Sequence, residues 1–276
     1  VISVPDLKKT FVNDAGVRVT VLDSVSFDVY RGETVVVMGG SGCGKSTLAN
    51  VLMGNPAYEV TAGQIIFDGK ELFGESEALV REIRGVRIAY VAQSAAASFN
   101  PAHRLVKQYA EAPVQHGLMP FHEAEEKAVD IYRRLLLPDP ERIGYRYPHQ
   151  VSGGQLQRAM VAMAMACTPD IIIFDEPTTA LDVTTQIEVL AAIKDITRQF
   201  NTAALYITHD LAVVERLCDR AAVMYAGELV EHVNRATGVE LHVVKESQVP
   251  TGMQTYVFLG ATKAAAQNGI DPDSLG

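Results

Sequence analysis

The first 35 residues alternate apolar and polar positions, as at Val17, Val19 and Val21 and again at Val25, Phe27 and Val29. A period of two is that of a strand with one buried face. The turn-prone stretches Asn13-Asp14-Ala15-Gly16 and Arg31-Gly32 divide the runs, so this region predicts antiparallel β structure. At residues 34–38 the alternation gives way to a short, mostly apolar run, suited to a strand buried on both faces. Residues 45–53 then predict a helix, 64–67 a strand with a turn at Asp68-Gly69, and 86–92 a further strand.

From Ser94 to about residue 150 the pattern becomes helical. Over residues 122–137 it places Ala124, Ala128, Ile131 and Leu135 on one face, with Glu125, Glu126, Asp130 and Arg134 elsewhere. Pro101, Pro113, Pro120, Pro138, Pro140 and Pro148 cut this region into short helices. Helix 153–167, strand 170–174, helix 184–200, strand 203–207, helix 211–217 and strand 221–225 follow. Alternating strands and helices with buried strands predict an α/β fold, a parallel sheet with helices on both faces. Residues 233–276 show no clear period, and no internal repeat is evident.

Composition narrows the class. A chain of 276 residues with 48% hydrophobic and 21% charged residues can bury a substantial core. Its net charge of −9 speaks against nucleic acid as the main partner, since phosphate backbones reward basic surfaces. No apolar run approaches the roughly 20 residues that span a bilayer, and no charged-then-apolar leader opens the sequence. A membrane role is therefore expected to come through docking onto another subunit. Cys43, Cys167 and Cys218 have neither metal spacing nor a disulfide pattern, which fits a reducing cytosol.

The chemistry concentrates in a few places. Gly39-Gly40-Ser41-Gly42-Cys43-Gly44-Lys45-Ser46 follows a strand and opens a helix. Glycine permits the close backbone approach by which N–H groups wrap a phosphate, and the helix N-terminus favours the same anion. Lys45 would balance the β- and γ-phosphates, and Ser46 would give its hydroxyl to Mg²⁺. Cys43 reads as a small residue tolerated in this loop, with a reactive thiol as the sharper alternative. Asp175 and Glu176 end the run Ile171-Ile172-Ile173-Phe174 at the strand edge where open sheets bind ligands. Asp175 suits a water-mediated Mg²⁺ contact, and Glu176 is the candidate base for attack on the γ-phosphate. His209 follows another strand, where its imidazole could meet both the γ-phosphate and the attacking water. Gln93 ends a strand, and its amide can reach Mg²⁺ or that water. Ser152-Gly153-Gly154-Gln155 offers a second phosphate-binding helix start, although the glycine loop already fills that role.

The ordered trio of glycine loop, Ser-Gly-Gly-Gln and Asp-Glu resembles the ATP-binding cassette (ABC) ATPases over residues 1–232. The resemblance implies a P-loop NTPase with a RecA-like parallel core, an N-terminal antiparallel β subdomain, a helical subdomain inserted at about 94–168, and a separate extension at 233–276. It also implies that two such subunits pair head to tail, each Ser152–Gln155 segment meeting the γ-phosphate held by the other. Thr47 extends the phosphate cradle, Gln93 matches the loop that couples catalysis to the helical subdomain, and His209-Asp210 matches the switch histidine. Ala180-Leu181-Asp182 resembles the loop that crosses the dimer interface, and Phe11 stands where the family stacks an aromatic on adenine. The cofactors implied are ATP and Mg²⁺.

Ala97-Ser98-Phe99-Asn100-Pro101 after Gln93, and Tyr147-Pro148-His149-Gln150 ahead of the Ser152–Gln155 stretch, look like the oligopeptide/dipeptide importer branch. That branch implies an ATPase at the cytoplasmic face of the cell membrane. Its partners would be a second ATPase subunit, like or unlike, two transmembrane permease subunits and, indirectly, a solute-binding protein. Val151 replaces the usual leucine, Ser94 the usual Asp and Gln150 the usual Glu, and residues 232–245 match nothing in the branch. The alternative is a soluble ABC ATPase of an assembly system such as iron–sulfur scaffold formation, which Asn55-Pro56-Ala57-Tyr58-Glu59-Val60 faintly resembles.

Overall fold

In the computed structural model the described residues are all except 14–15, 73–81, 179–180, 182, 211–212, 215–216, 226 and 233–276. The N-terminal alternation forms β1 (Ile2–Val12) and β2 (Arg18–Val29), paired antiparallel. With β4 (Ile66–Phe67) and β5 (Lys70–Glu71) they make a four-stranded sheet. Asp68 and Gly69 join β4 to β5 with φ of 52° and 80°, the doubly left-handed turn that suits a tight hairpin.

One part of the alternation is out of phase. Val25, Phe27 and Val29 are buried, but Val17 is 55% and Val19 46% exposed. Arg18 and Thr20 are exposed beside Val19, so both faces of the outer end of β2 stand clear of the core. Nearer the core the phase changes at Ser24, which has φ 53°. Leu7 pairs with Val25 and Lys9 with Leu22, so β2 spends one residue more than β1 here. Such a bulge exchanges the inward and outward faces. Before it Leu22 points in, after it Val25 does.

The second sheet has six strands in the order β10-β9-β3-β8-β7-β6. These are β3 (Thr34–Met38), β6 (Ile88–Val91), β7 (Ile171–Asp175), β8 (Ala203–Thr208), β9 (Arg220–Tyr225) and β10 (Glu228–His232). All neighbours run parallel except β9 and β10. Between β6 and β7 lie α2 (Ala95–Ser98), α3 (Leu105–Gln115), α4 (Phe121–Arg134), α5 (Pro140–Ile143) and α6 (Gly153–Met165). The helix α1 (Lys45–Leu52) follows β3, and α7 (Val183–Gln199) follows β7. Of the helix expected at 211–217, residues 211–212 and 215–216 lie outside the described residues. Val213, Val214 and Leu217 are buried.

The two faces of this sheet are covered differently. Val36, Met38, Phe174 and Tyr206 pack against Leu156 and Met160 of α6 and Ile193 and Ile196 of α7. On the other face, Val35, Val37, Ile173 and Leu205 pack under α1 and under Val4, Leu7, Val25 and Phe27 of the antiparallel sheet. Helices thus lie on both faces, as expected, but unequally. One face is helical, and the other is shared by a single helix and a second sheet, because the alternating N-terminal strands need a partner for their apolar side.

Candidate active site

Parallel strands place their C-terminal ends on one edge, and the predicted chemistry gathers there. The glycine loop follows β3, Gln93 lies just past β6, Asp175 and Glu176 close β7, and His209 directly follows β8. A side chain at Gly39 would put its Cβ 2.4 Å from the Met224 carbonyl oxygen, so only glycine lets the loop pass that strand end. Gly44, with φ 109°, turns the loop into α1. Lys45 is 6% exposed, and its Nζ donates to the carbonyls of Gly39 at 2.7 Å and Gly40 at 2.8 Å. Cys43 is buried with its Sγ 3.9 Å from Lys45 Nζ, a packing position. Gly40, Ser41, Gly42 and Ser46 are at or near the surface of the cradle, and Thr47 continues α1 behind it.

Asp175 is 7% exposed. The Tyr90 hydroxyl donates to its Oδ2 at 2.9 Å, and Ser46 also hydrogen-bonds the carboxylate. Burial pushes its pKa above the ordinary value and Glu176 adds to this, whereas Tyr90, Ser46 and Lys45 oppose it. A carboxylate with a raised folded-state pKa costs stability while ionised, and that cost is relieved as pH falls through the raised pKa. In EDTA at neutral pH, Asp175→Asn is therefore expected to melt above the parent, with the gap closing on acidification. Thermal melts from neutral to acidic pH check this, and a variant that melts lower at neutral pH would refute it.

Glu176 has φ 47°, a left-handed conformation unusual for a non-glycine residue. Its N–H donates to the Ile207 carbonyl at 2.9 Å, which holds the turn against β8. Its carboxylate oxygens meet two predicted partners: His209 Nδ1 lies 3.0 Å from Oε1, and Gln93 Nε2 donates to Oε2 at 3.4 Å. The Glu176 side chain is 17% exposed and that of His209 59%, so the carboxylate sits inside and the imidazole at the rim. Asp210 accepts from Gln186 Nε2 at 2.7 Å, and the same amide reaches Thr178 Oγ1 at 3.2 Å. Gln186 thus braces the strand ends that carry Glu176 and His209. Neither Gln186 nor Tyr90 was singled out by sequence: a tyrosine in a strand and a glutamine on a helix carry no motif.

Ser152, Gly153, Gly154 and Gln155 do not join this edge. Ser152 caps α6 by accepting from Gln155 N–H at 3.3 Å, while Ser152 N–H donates to Gln155 Oε1 at 3.0 Å. This reciprocal capping box fixes the helix start. Ser152 and Gly153 remain exposed, as do the first helical N–H groups of any such terminus. Just upstream, Gln150 Oε1 accepts from Tyr147 N–H at 2.9 Å, a task a glutamate would also perform. Phe11, half-buried, packs edge-on to Tyr58 at 5.7 Å with Lys9 Nζ 4.7 Å from its ring centre. It pairs with Val19, two residues along β2 from Val21, whose carbonyl packs on Gly44. Asp182 and Ala180 lie outside the described residues.

The donor set fits a magnesium nucleotide. A buried lysine stands inside a glycine cradle, beside a hydroxyl and a carboxylate already bonded to each other. Mg²⁺ takes such hard oxygen ligands, commonly one or two carboxylates completed by substrate phosphates and water.

The family profile described as ABC transporter matches residues 22–179. The chain is 44% identical over 236 residues to the "Probable peptide ABC transporter ATP-binding protein y4tR" of Sinorhizobium fredii, covering 84% of this chain and 70% of that protein. It is 42% identical over 234 residues to the "Dipeptide transport ATP-binding protein DppD" of Bacillus subtilis, again covering 84% and 70%. Among solved structures, the dimeric post-hydrolysis state of the ATP-binding cassette MJ0796 bound to ADP and Pi superposes with a TM-score of 0.75. That match has 26% identity and covers 87% of this chain and 100% of the other.

Proposed function

Because this chain belongs to the ABC transporter family, we propose that it is the ATP-hydrolysing subunit of an importer for peptides or related small solutes. The observation that carries the reading is the gathering of Lys45, Asp175, Glu176, His209 and Gln93 at one sheet edge. Lys45 and the loop N–H groups hold the β- and γ-phosphates of ATP. Ser46, Asp175 and Gln93 would hold Mg²⁺, which supplies charge neutralisation at the phosphate oxygens. Glu176 orients the attacking water and accepts its proton, and His209 holds the Glu176 carboxylate in place. Phe11 receives the adenine. The products are ADP and phosphate.

A second ATPase subunit, identical or different, supplies the complementary Ser152–Gln155 segment, and Asp182 lies at the joint between them. ATP favours the closed pair only as far as it binds that form better than the open one, and the γ-phosphate contacts across the joint supply the difference. Closure moves the helices within residues 94–168, and with them two permease subunits at the cytoplasmic face of the membrane. In this reading residues 1–232 are the ATPase domain and 233–276 an extension. The names of the relatives point to transport rather than to iron–sulfur assembly. Affinity purification from solubilised membranes is expected to bring down two integral membrane proteins, and the purified complex to release phosphate from MgATP. Recovery of soluble iron–sulfur proteins in their place would overturn the reading.

A further inference from the structure

Tyr90 belongs to β6, where it pairs with Ile173 of β7. Side chains two residues apart share a face of a sheet, so Tyr90 and Asp175 stand diagonally on the same side, the side covered by α1. A diagonal neighbour is within reach of an aromatic side chain. The phenol spans that interval and donates to Asp175 Oδ2 at 2.9 Å. The ring also walls a cleft of about 250 Å³ with Asn50, Met53, Asn55 and Arg84. Asn50 in turn donates to the Ser46 carbonyl at 2.8 Å. Two of the residues that would hold the cation, Ser46 and Asp175, are therefore braced from behind by side chains of one cleft.

The chemistry of the donor matters. A carboxylate only 7% exposed needs hydrogen-bond partners. A lysine or arginine at position 90 would satisfy it but would place a positive charge where a cation must bind. A phenylalanine would fill the space and leave Oδ2 without its donor. A phenol satisfies one oxygen, fixes the carboxylate's rotation, and adds no charge.

We propose that Tyr90 is a positioning residue for the cation site, holding Asp175 so that its remaining coordinating capacity faces Ser46. This rests on the reading of Ser46 and Asp175 as magnesium ligands. Groups that orient a metal ligand typically cost about 10–100-fold in metal affinity or activity when removed.

The test is Tyr90→Phe in the full chain, with Asp175→Asn beside it. Binding of a fluorescent ATP analogue is followed by anisotropy as Mg²⁺ is titrated, and again in EDTA, together with thermal melting in EDTA. Tyr90→Phe is expected to raise the half-saturating Mg²⁺ concentration about tenfold or more, with metal-free nucleotide binding close to the parent's. Its melting temperature in EDTA should fall by a few degrees, since a buried carboxylate loses one donor. An unchanged Mg²⁺ titration overturns the proposal, as does an equal loss of nucleotide binding in EDTA, which would mark Tyr90 as structural only. If Asp175→Asn also leaves the Mg²⁺ titration unchanged, the underlying assignment of Asp175 fails. If Asp175→Asn abolishes the Mg²⁺ response and Tyr90→Phe does not alter it, only the role of Tyr90 fails.

Discussion

Glu176→Gln is expected to lower ATP turnover by about 10²–10⁴-fold, the range over which a positioned base contributes, while ATP binding persists. The substitution keeps the size and hydrogen-bonding reach of the side chain, so His209 at 3.0 Å and Gln93 at 3.4 Å retain a partner. What it removes is the ability to take a proton. The backbone turn at φ 47° is untouched, and the N–H bond to Ile207 with it. Loss of turnover with retained binding should let the ATP-bound pair accumulate, visible as a dimer by gel filtration in MgATP. A variant that hydrolyses ATP like its parent would show that Glu176 is not the proton acceptor.

Ser152→Arg should stop turnover by a different route. The capping box at the start of α6 would be lost, and losing a serine cap costs about 0.5–2 kcal/mol. For a chain of this size, 1 kcal/mol corresponds to roughly 2–4 °C in melting temperature, so the variant should remain folded at 25 °C. Its glycine loop, on a different strand end, keeps Lys45 and its two carbonyl bonds. Nucleotide affinity of the single chain is therefore expected to stay within about twofold, as mutations at separate sites act independently. Dimer formation in MgATP should disappear, including in the Glu176→Gln background. Loss of nucleotide binding by the isolated chain would mean that Ser152 serves the ATP of its own subunit.

Much of this site was legible because its residues stand at strand ends, where an apolar run stops abruptly at a motif. Thr34 to Met38 led to the glycine loop, Ile171 to Phe174 to the acidic pair, and Ala203 to Ile207 to His209. The phase of the N-terminal strands was not legible. Nothing in Asp23-Ser24-Val25 marks a bulge, and the alternation at 17–21 does not tell that this end of β2 stands clear of the core on both faces. Nor does periodicity say whether helices or a second sheet will cover an apolar face, since either satisfies it. Tyr90 escaped notice for a related reason: in a strand run a tyrosine reads as core, and only the register shows that its hydroxyl ends at Asp175.

The left-handed backbone at Glu176 sets two kinds of selection against each other. A non-glycine residue held in such a conformation costs on the order of 1–3 kcal/mol, and glycine would adopt it without that cost. Selection for heat resistance alone would therefore press on position 176 and on the buried charge beside it at Asp175. Glycine or asparagine at the first and asparagine at the second would each ease the fold and remove the proton acceptor or the cation ligand. A stabilising library drawn without an activity screen should be enriched at these positions in catalytically silent chains.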